Sequence, residues 1–206
     1  MPLEEGTEDL KEYVEEYIEE YASVSSILKQ TLPLLLICVF SGLFAGIVLT
    51  GMEASLKALP GLLIMVPAIL DTRGNIYGAF GSRLGSALHQ GIIQPELKND
   101  KNLIHSIAAT LAMGVIISVV LAVTSHYVLL VLGRESAGIL PLTMISLIAG
   151  VASGLLLTMF VLVITFAGYR KGIDPDNISG PVATTAGDVF AMLALFMAAE
   201  IVLGVW

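Results

Sequence analysis

The chain has 206 residues, of which 56% are hydrophobic and 14% charged, with a mean hydropathy of +0.87. A soluble domain of this length has no use for so much apolar side chain, so the composition points to an integral membrane protein. The net charge of −8 argues against a nucleic-acid partner, which wants a basic stripe. The lone cysteine, Cys38, rules out a disulfide framework and a cysteine-rich metal site.

The charge is concentrated at one end. Residues 1–30 hold nine acids against Lys11 and Lys29, a local charge of −7, and the remainder of the chain carries −1. Residues 7–30 read as an amphipathic helix. Leu10, Tyr13, Val14, Tyr17, Ile18 and Tyr21 recur at spacings of three and four, with glutamates on the other side. The tyrosines suit a membrane interface, whereas the glutamates are repelled by anionic lipid. Residues 1–30 are therefore expected to be an acidic, solvated cytosolic helix leading into the first span. The sharper alternative is a Mg²⁺ sensor whose carboxylates relax when the ion screens them. The N-terminus lacks the basic stretch of a cleavable signal, so the first apolar run is read as a retained span.

Residues 31–206 are expected to form one membrane domain of five helices. Span 1 covers about Thr31–Thr50 and carries Gly42 and Gly46, a small-residue spacing that lets helices approach closely. Span 2 starts near Leu59 and is expected to be interrupted. Pro67 removes a donor, and Asp71-Thr72-Arg73-Gly74-Asn75 places charged and amide groups mid-span. Broken backbone at that depth is tolerated where it lines water or is buried in protein, and it recurs at transporter sites. Asp71 and Arg73 could neutralise each other; Asn75 can offer an oxygen to a cation's water shell without carrying charge. Gly74, Gly78, Gly81 and Gly85 form one smooth face. Span 3 is about Leu103–Leu132, and span 4, about Ile139–Phe166, carries the pair Gly150 and Gly154. Span 5, about Gly180–Trp206, follows the polar stretch Asp174-Pro175-Asp176-Asn177, and Ser179-Gly180-Pro181 reads as its helix start.

Five spans put the termini on opposite sides of the membrane. With the N-terminus in the cytosol, the inner segments hold seven basic residues and the outer links only Lys57 and Arg134, which favours that orientation. The expected location is the plasma membrane, multi-pass, with the C-terminus outside. Asp174 and Asp176 then stand at the cytosolic mouth.

Gly180, Thr184 and Asp188 are spaced by four and share a face, which continues through Ala191, Met192 and Leu195. An ionisable group inside a span is by default a functional-site hypothesis. Mg²⁺ is hard, octahedral and reluctant to lose water, so one Asp per subunit gripping the hydrated ion is a suitable sparse site. A two-fold homodimer would bring two copies of Asp188 together as an acidic ring. The bland alternative is a packing acid bonded to a hydroxyl or to Arg73. Glu200 lies twelve positions further on, about 120° round the helix, and is expected to be interfacial.

These motifs resemble those of the MgtE-type and solute carrier family 41 magnesium transporters. Pro67…Gly74-Asn75 with Ser82-Arg83-Leu84 carries the first half of the resemblance, and Asp174-Pro175-Asp176-Asn177…Pro181…Thr185…Gly187-Asp188 the second. The resemblance covers residues 30–206. It implies a five-helix domain that pairs to make a cation path, with Asp188 as the central ion-site acid, Asp174 in a cytosolic-side acidic site and Gly74-Asn75 shaping the path. Where the bacterial branch tends to have Asn before the span 5 proline, this chain has Gly180. Solute-carrier members tend to hold two copies of the membrane unit, and one copy here supports a homodimer in the lipid bilayer.

The expected function is divalent cation transport, with Mg²⁺ as cargo and as a candidate regulatory ion. Asp188, Thr184, Asn75, Asp174 and Asp176 are the expected metal-site residues, supported by Asp71, Gly74, Gly180, Pro181 and Asn177. Mn²⁺ or Co²⁺ transport is the runner-up, since oxygen sites discriminate weakly among small hard ions. An intramembrane enzyme is disfavoured, because no nucleophile with a paired base is visible.

Overall fold

Long apolar runs separated by short polar links fold as antiparallel helices, because lipid offers no partner for backbone N–H and C=O groups. The structure is a computed structural model and describes residues 24–96, 100–172 and 175–205. These residues form six helices and no strand: α1 (Val24–Gly51), α2 (Glu53–Ala58), α3 (Leu62–His89), α4 (Lys101–Val131), α5 (Ile139–Arg170) and α6 (Pro175–Val205). The chain divides into two units, residues 1–39 and 40–206, and α3 to α6 lie wholly in the second. The part of the expected N-terminal amphipathic helix that precedes residue 24 lies outside the described residues.

Among the described residues, three helices are long and apolar enough to cross a membrane: Lys101–Val131, Ile139–Arg170 and the Ser179–Val205 part of α6. The apolar part of α1, Leu35–Gly51, is shorter. Helix α3 has 28 residues but carries Asp71, Arg73 and Arg83 along it.

The expected interruption of the second span is not there. Helix α3 runs unbroken from Leu62 to His89, through Pro67 and Gly74-Asn75. Its polar side chains find partners that leave the helix intact. The Thr72 hydroxyl donates back to the Ala68 carbonyl at 2.8 Å, Asn75 donates to Asp71 at 3.1 Å, and Arg73 donates across to Ser118 at 3.1 Å. A glycine costs a helix about 1 kcal/mol relative to alanine, and close packing against α6 offsets that cost.

Two links close the same end of the bundle. The Ala137 amide donates to the Pro60 carbonyl at 2.8 Å, tying the α2–α3 link to the α4–α5 link. Gly61, which precedes α3, has φ +109°, and a Cβ there would stand 2.9 Å from a Leu129 methyl. Both the backbone and the space require glycine. At the other end, Asp100 caps α4 by accepting from the amides of Asn102 (2.7 Å) and Leu103 (3.2 Å).

The apolar core comes in two blocks. One contains Met52, Leu62, Met65, Ile69, Leu142, Ala149, Ala191 and Leu195. The other contains Tyr77, Phe80, Leu84, Leu157, Leu162 and Ala183. Between Ile69 and Tyr77 on α3, Ala149 and Leu157 on α5, and Ala183 and Ala191 on α6, the sequence turns small and polar. This layer lies near the middle of each helix, at the depth where a bilayer is least tolerant of charge.

Helix α6 also starts earlier than expected, at Pro175 and not at Ser179-Gly180-Pro181. Pro175 stands in the first turn, where its missing N–H has no partner to lose. Pro181 is accommodated inside the helix. Asp188 is thus thirteen residues into α6, about 20 Å along the axis at about 1.5 Å per residue.

Candidate functional site

The glycine face of α3 sets the site. A Cβ at Gly74 would stand 3.3 Å from Thr184 Oγ1, one at Gly78 would stand 3.9 Å from the Gly180 backbone, and one at Gly81 would fall 2.5 Å from Ser179 Cβ. Alternating turns without side chains let α3 and α6 approach closely. Where the two helices meet at mid-depth they leave a groove of about 410 Å³, lined by Leu70, Asp71, Gly74, Asn75, Gly78, Ala79, Gly180, Thr184 and Asp188.

Two carboxylates, an amide and a hydroxyl therefore face one space. Asn75 Nδ2 donates to Asp71 Oδ2 at 3.1 Å, which leaves the Asn75 carbonyl oxygen free to accept. The Thr184 hydroxyl donates to the Gly180 carbonyl at 3.0 Å, so its lone pairs are also available to accept. Asp188 is half-buried. It makes no hydrogen bond or ion pair with another described residue, unlike the bland expectation of a packing acid. The groove thus presents mostly acceptors, from Asp71, Asp188, the Asn75 carbonyl and Thr184, which suits a cation or the donor hydrogens of its water shell. Among the described residues, no three His, Cys, Asp or Glu side chains are grouped to hold a metal directly.

Of the residues singled out in the sequence, Asp188, Thr184, Asn75, Asp71, Gly74 and Gly180 come together in this groove. Pro181 lies beside it in α6, its carbonyl accepting from the Thr185 hydroxyl at 2.7 Å. Ser41 of α1 donates to the Thr185 carbonyl at 2.9 Å. Asp174 lies outside the described residues. Asp176 and Asn177 belong to the first turn of α6, and their side chains are likewise outside them. Ala191, Met192 and Leu195 do not extend the polar stripe, because all three are buried in the first core block. Glu200 accepts from Ser55 Oγ of α2 at 2.6 Å, away from the groove.

The alternative of an Asp71–Arg73 pairing is not what forms among the described residues. Residues two apart on a helix point to different sides, so Asp71 faces the groove and Arg73 the interior. Arg73 is 2% exposed. Its Nη2 donates to Ser118 Oγ of α4, while its Nε and Nη1 have no partner, and neither does the buried Tyr77 hydroxyl one turn on. Glycines make the room. A Cβ at Gly114 would stand 3.2 Å from Arg73 Nη1, one at Gly150 would stand 2.9 Å from Arg73 Nη2, and one at Gly154 would stand 2.5 Å from the Tyr77 hydroxyl. Gly187, next to Asp188, packs against Arg73 Cβ. Sequence reasoning missed this centre. Its one legible signal was the Gly150/Gly154 pair, whose counterpart was not identifiable.

The long apolar helices, with a polar groove between two helices, are the build of a multi-pass membrane protein. Residues 66–198 match the family model MgtE, a divalent cation transporter, and the chain belongs to that family. Solute carrier family 41 member 3 of Rattus norvegicus is 25% identical over 82% of this chain and 38% of its own length. The magnesium transporter MgtE of Bacillus subtilis is 24% identical over 81% of this chain and 35% of its own length. Solute carrier family 41 member 2 of Xenopus laevis is 26% identical over 84% of this chain and 31% of its own length. The chain thus spans about a third of the length of these relatives. They are transporters and not enzymes, in line with the reading from the residues.

Proposed function

We propose that the protein conducts Mg²⁺ through the groove between α3 and α6, with the hydrated ion held at Asp188. The observation that carries this is the convergence of Asp71, Asn75, Thr184 and Asp188 on one polar, acceptor-rich space at mid-depth. A sparse site suits an ion that keeps its water, since each acceptor can bond a coordinated water without displacing it. Thr184 and Asn75 contact the water shell, Asp71 adds charge, and Gly74, Gly180 and Pro181 keep the groove open. Asp174, Asp176 and Asn177 gather ions at its cytosolic mouth.

One protomer supplies one Asp188, and a homodimer across the groove would supply two. Helices α1 and α3 complete five spans in the plasma membrane, with the N-terminus in the cytosol and residues 1–30 as an acidic leader. The names of the relatives support magnesium over other ions. Mn²⁺ or Co²⁺ remains the alternative cargo, because oxygen ligands separate these ions weakly. Uptake into proteoliposomes holding the purified full chain decides between them. Mg²⁺ entry that excess Mn²⁺ or Co²⁺ slows only weakly supports the proposal. Entry of Mn²⁺ or Co²⁺ without Mg²⁺ would replace the cargo, and entry of none would remove the transport reading.

A further inference from the structure

We propose that Arg73 is a fixed counter-charge behind the groove wall that weakens the hold on the cation enough for it to leave. This rests on the groove being the ion path. Arg73 is 2% exposed, and its one hydrogen bond to a described residue is to the neutral Ser118 hydroxyl. Its Nε and Nη1 have no aligned hydrogen-bond partner, its other polar neighbour, Tyr77, is a neutral hydroxyl, and among the described residues no carboxylate pairs with it. A guanidinium stays protonated even when buried. Leaving such a charge unpaired in the interior is strongly destabilising, and an apolar residue of similar volume is often neutral or better. A structural role alone would be served by that apolar residue.

The placement gives the charge something to act on. Gly74 and Asn75, the next two residues of α3, line the groove, and Gly187 of α6 packs on Arg73 Cβ directly beside Asp188. Arg73 Cβ therefore stands beside the groove wall, and its guanidinium lies behind that wall on the α4 and α5 side. Buried from water, its field is little screened by salt. The two acids of each protomer attract a divalent ion, and conduction requires binding weak enough to release it. A positive charge behind the groove wall opposes the ion's binding without touching it. The glycines at 114 and 150 on α4 and α5 are what admit the guanidinium at this depth.

The test is the concentration dependence of Mg²⁺ uptake by proteoliposomes. Arg73→Met should lower the half-saturating Mg²⁺ concentration by about tenfold, the order expected for charges interacting across one helix in a protein interior, and should lower the maximal rate. Arg73→Lys should stay within about threefold of wild type, since it keeps the charge. Ser118→Asp places a carboxylate on the existing 3.1 Å contact and should tighten binding like Arg73→Met while leaving Arg73 in place. If Arg73→Met does not purify folded, Ser118→Asp carries the test. A merely structural Arg73 would cost folded yield without tightening binding. Unchanged or weakened binding in the folded charge-cancelling variants overturns the inference. If Asp188→Asn abolishes uptake while these variants show no shift, only this inference fails. If Asp188→Asn conducts normally, the groove reading falls and takes this inference with it.

Discussion

Gly74 of α3 lies directly against Thr184 of α6: a Cβ on Gly74 would stand 3.3 Å from the threonine hydroxyl. That contact brings Asp71 and Asn75 to the same space as Asp188, though they are more than a hundred residues apart in the chain. The groove exists because one helix has no side chains where the other has small polar ones.

Two glycines on the same face should respond differently to substitution. A Cβ at Gly81 would fall 2.5 Å from Ser179 Cβ and 3.1 Å from Val161, whereas at Gly78 the nearest atom is 3.9 Å away. Gly81→Ala should destabilise the folded state by about 1–3 kcal/mol, the usual cost of overpacking. Gly78→Leu should leave stability nearly intact and fill the groove, abolishing uptake. Thermal melts in detergent and proteoliposome flux measure the two effects. Equal melting temperatures for wild type and Gly81→Ala would show that α3 and α6 are not packed this closely.

Asn75 should matter to flux more than to folding. Its side chain is exposed on the groove side and donates to Asp71 at 3.1 Å. Hydrogen bonds to charged groups are worth about 1.5–3 kcal/mol when sheltered. Exposure reduces that, so Asn75→Ala should slow uptake by roughly threefold to tenfold with an unchanged melting temperature. Wild-type uptake in Asn75→Ala would take the α3 wall out of the path.

Glu200 should behave as an anchor. It accepts from the buried Ser55 hydroxyl at 2.6 Å, fastening α2 to the far end of α6. Ser55→Ala should cost about 1 kcal/mol of stability and leave the Mg²⁺ dependence of uptake as in wild type. A changed ion dependence would place Glu200 in the path.

Much of the α6 wall was legible in the sequence. Gly180, Thr184 and Asp188 fall on one face by their spacing of four, whatever the helix packs against. The α3 wall was half legible. The glycine face was plain, but Pro67 and Gly74-Asn75 read as a break. Those residues do disfavour a helix locally, and tertiary packing against α6 overrides the propensity. Arg73 was not legible, because spacing alone does not say which side of α3 faces inward. The paired glycines show the same limit. Gly150 and Gly154 press against Ser118, Arg73 and Tyr77, yet Gly42 and Gly46 of α1, with an identical spacing, meet no described atom within 4 Å.

The most direct test of Asp188 as the ion-holding acid is Mg²⁺ entry into proteoliposomes holding wild type or Asp188→Asn. The substitution keeps size and removes charge. Asp188 makes no hydrogen bond or ion pair with another described residue, so folding and oligomeric state should be unaffected. Entry with wild type and none with the mutant, at matched purity and oligomer size, is the expected result. Equal entry with both would make Asp188 a structural residue and contradict the proposal that it holds the ion.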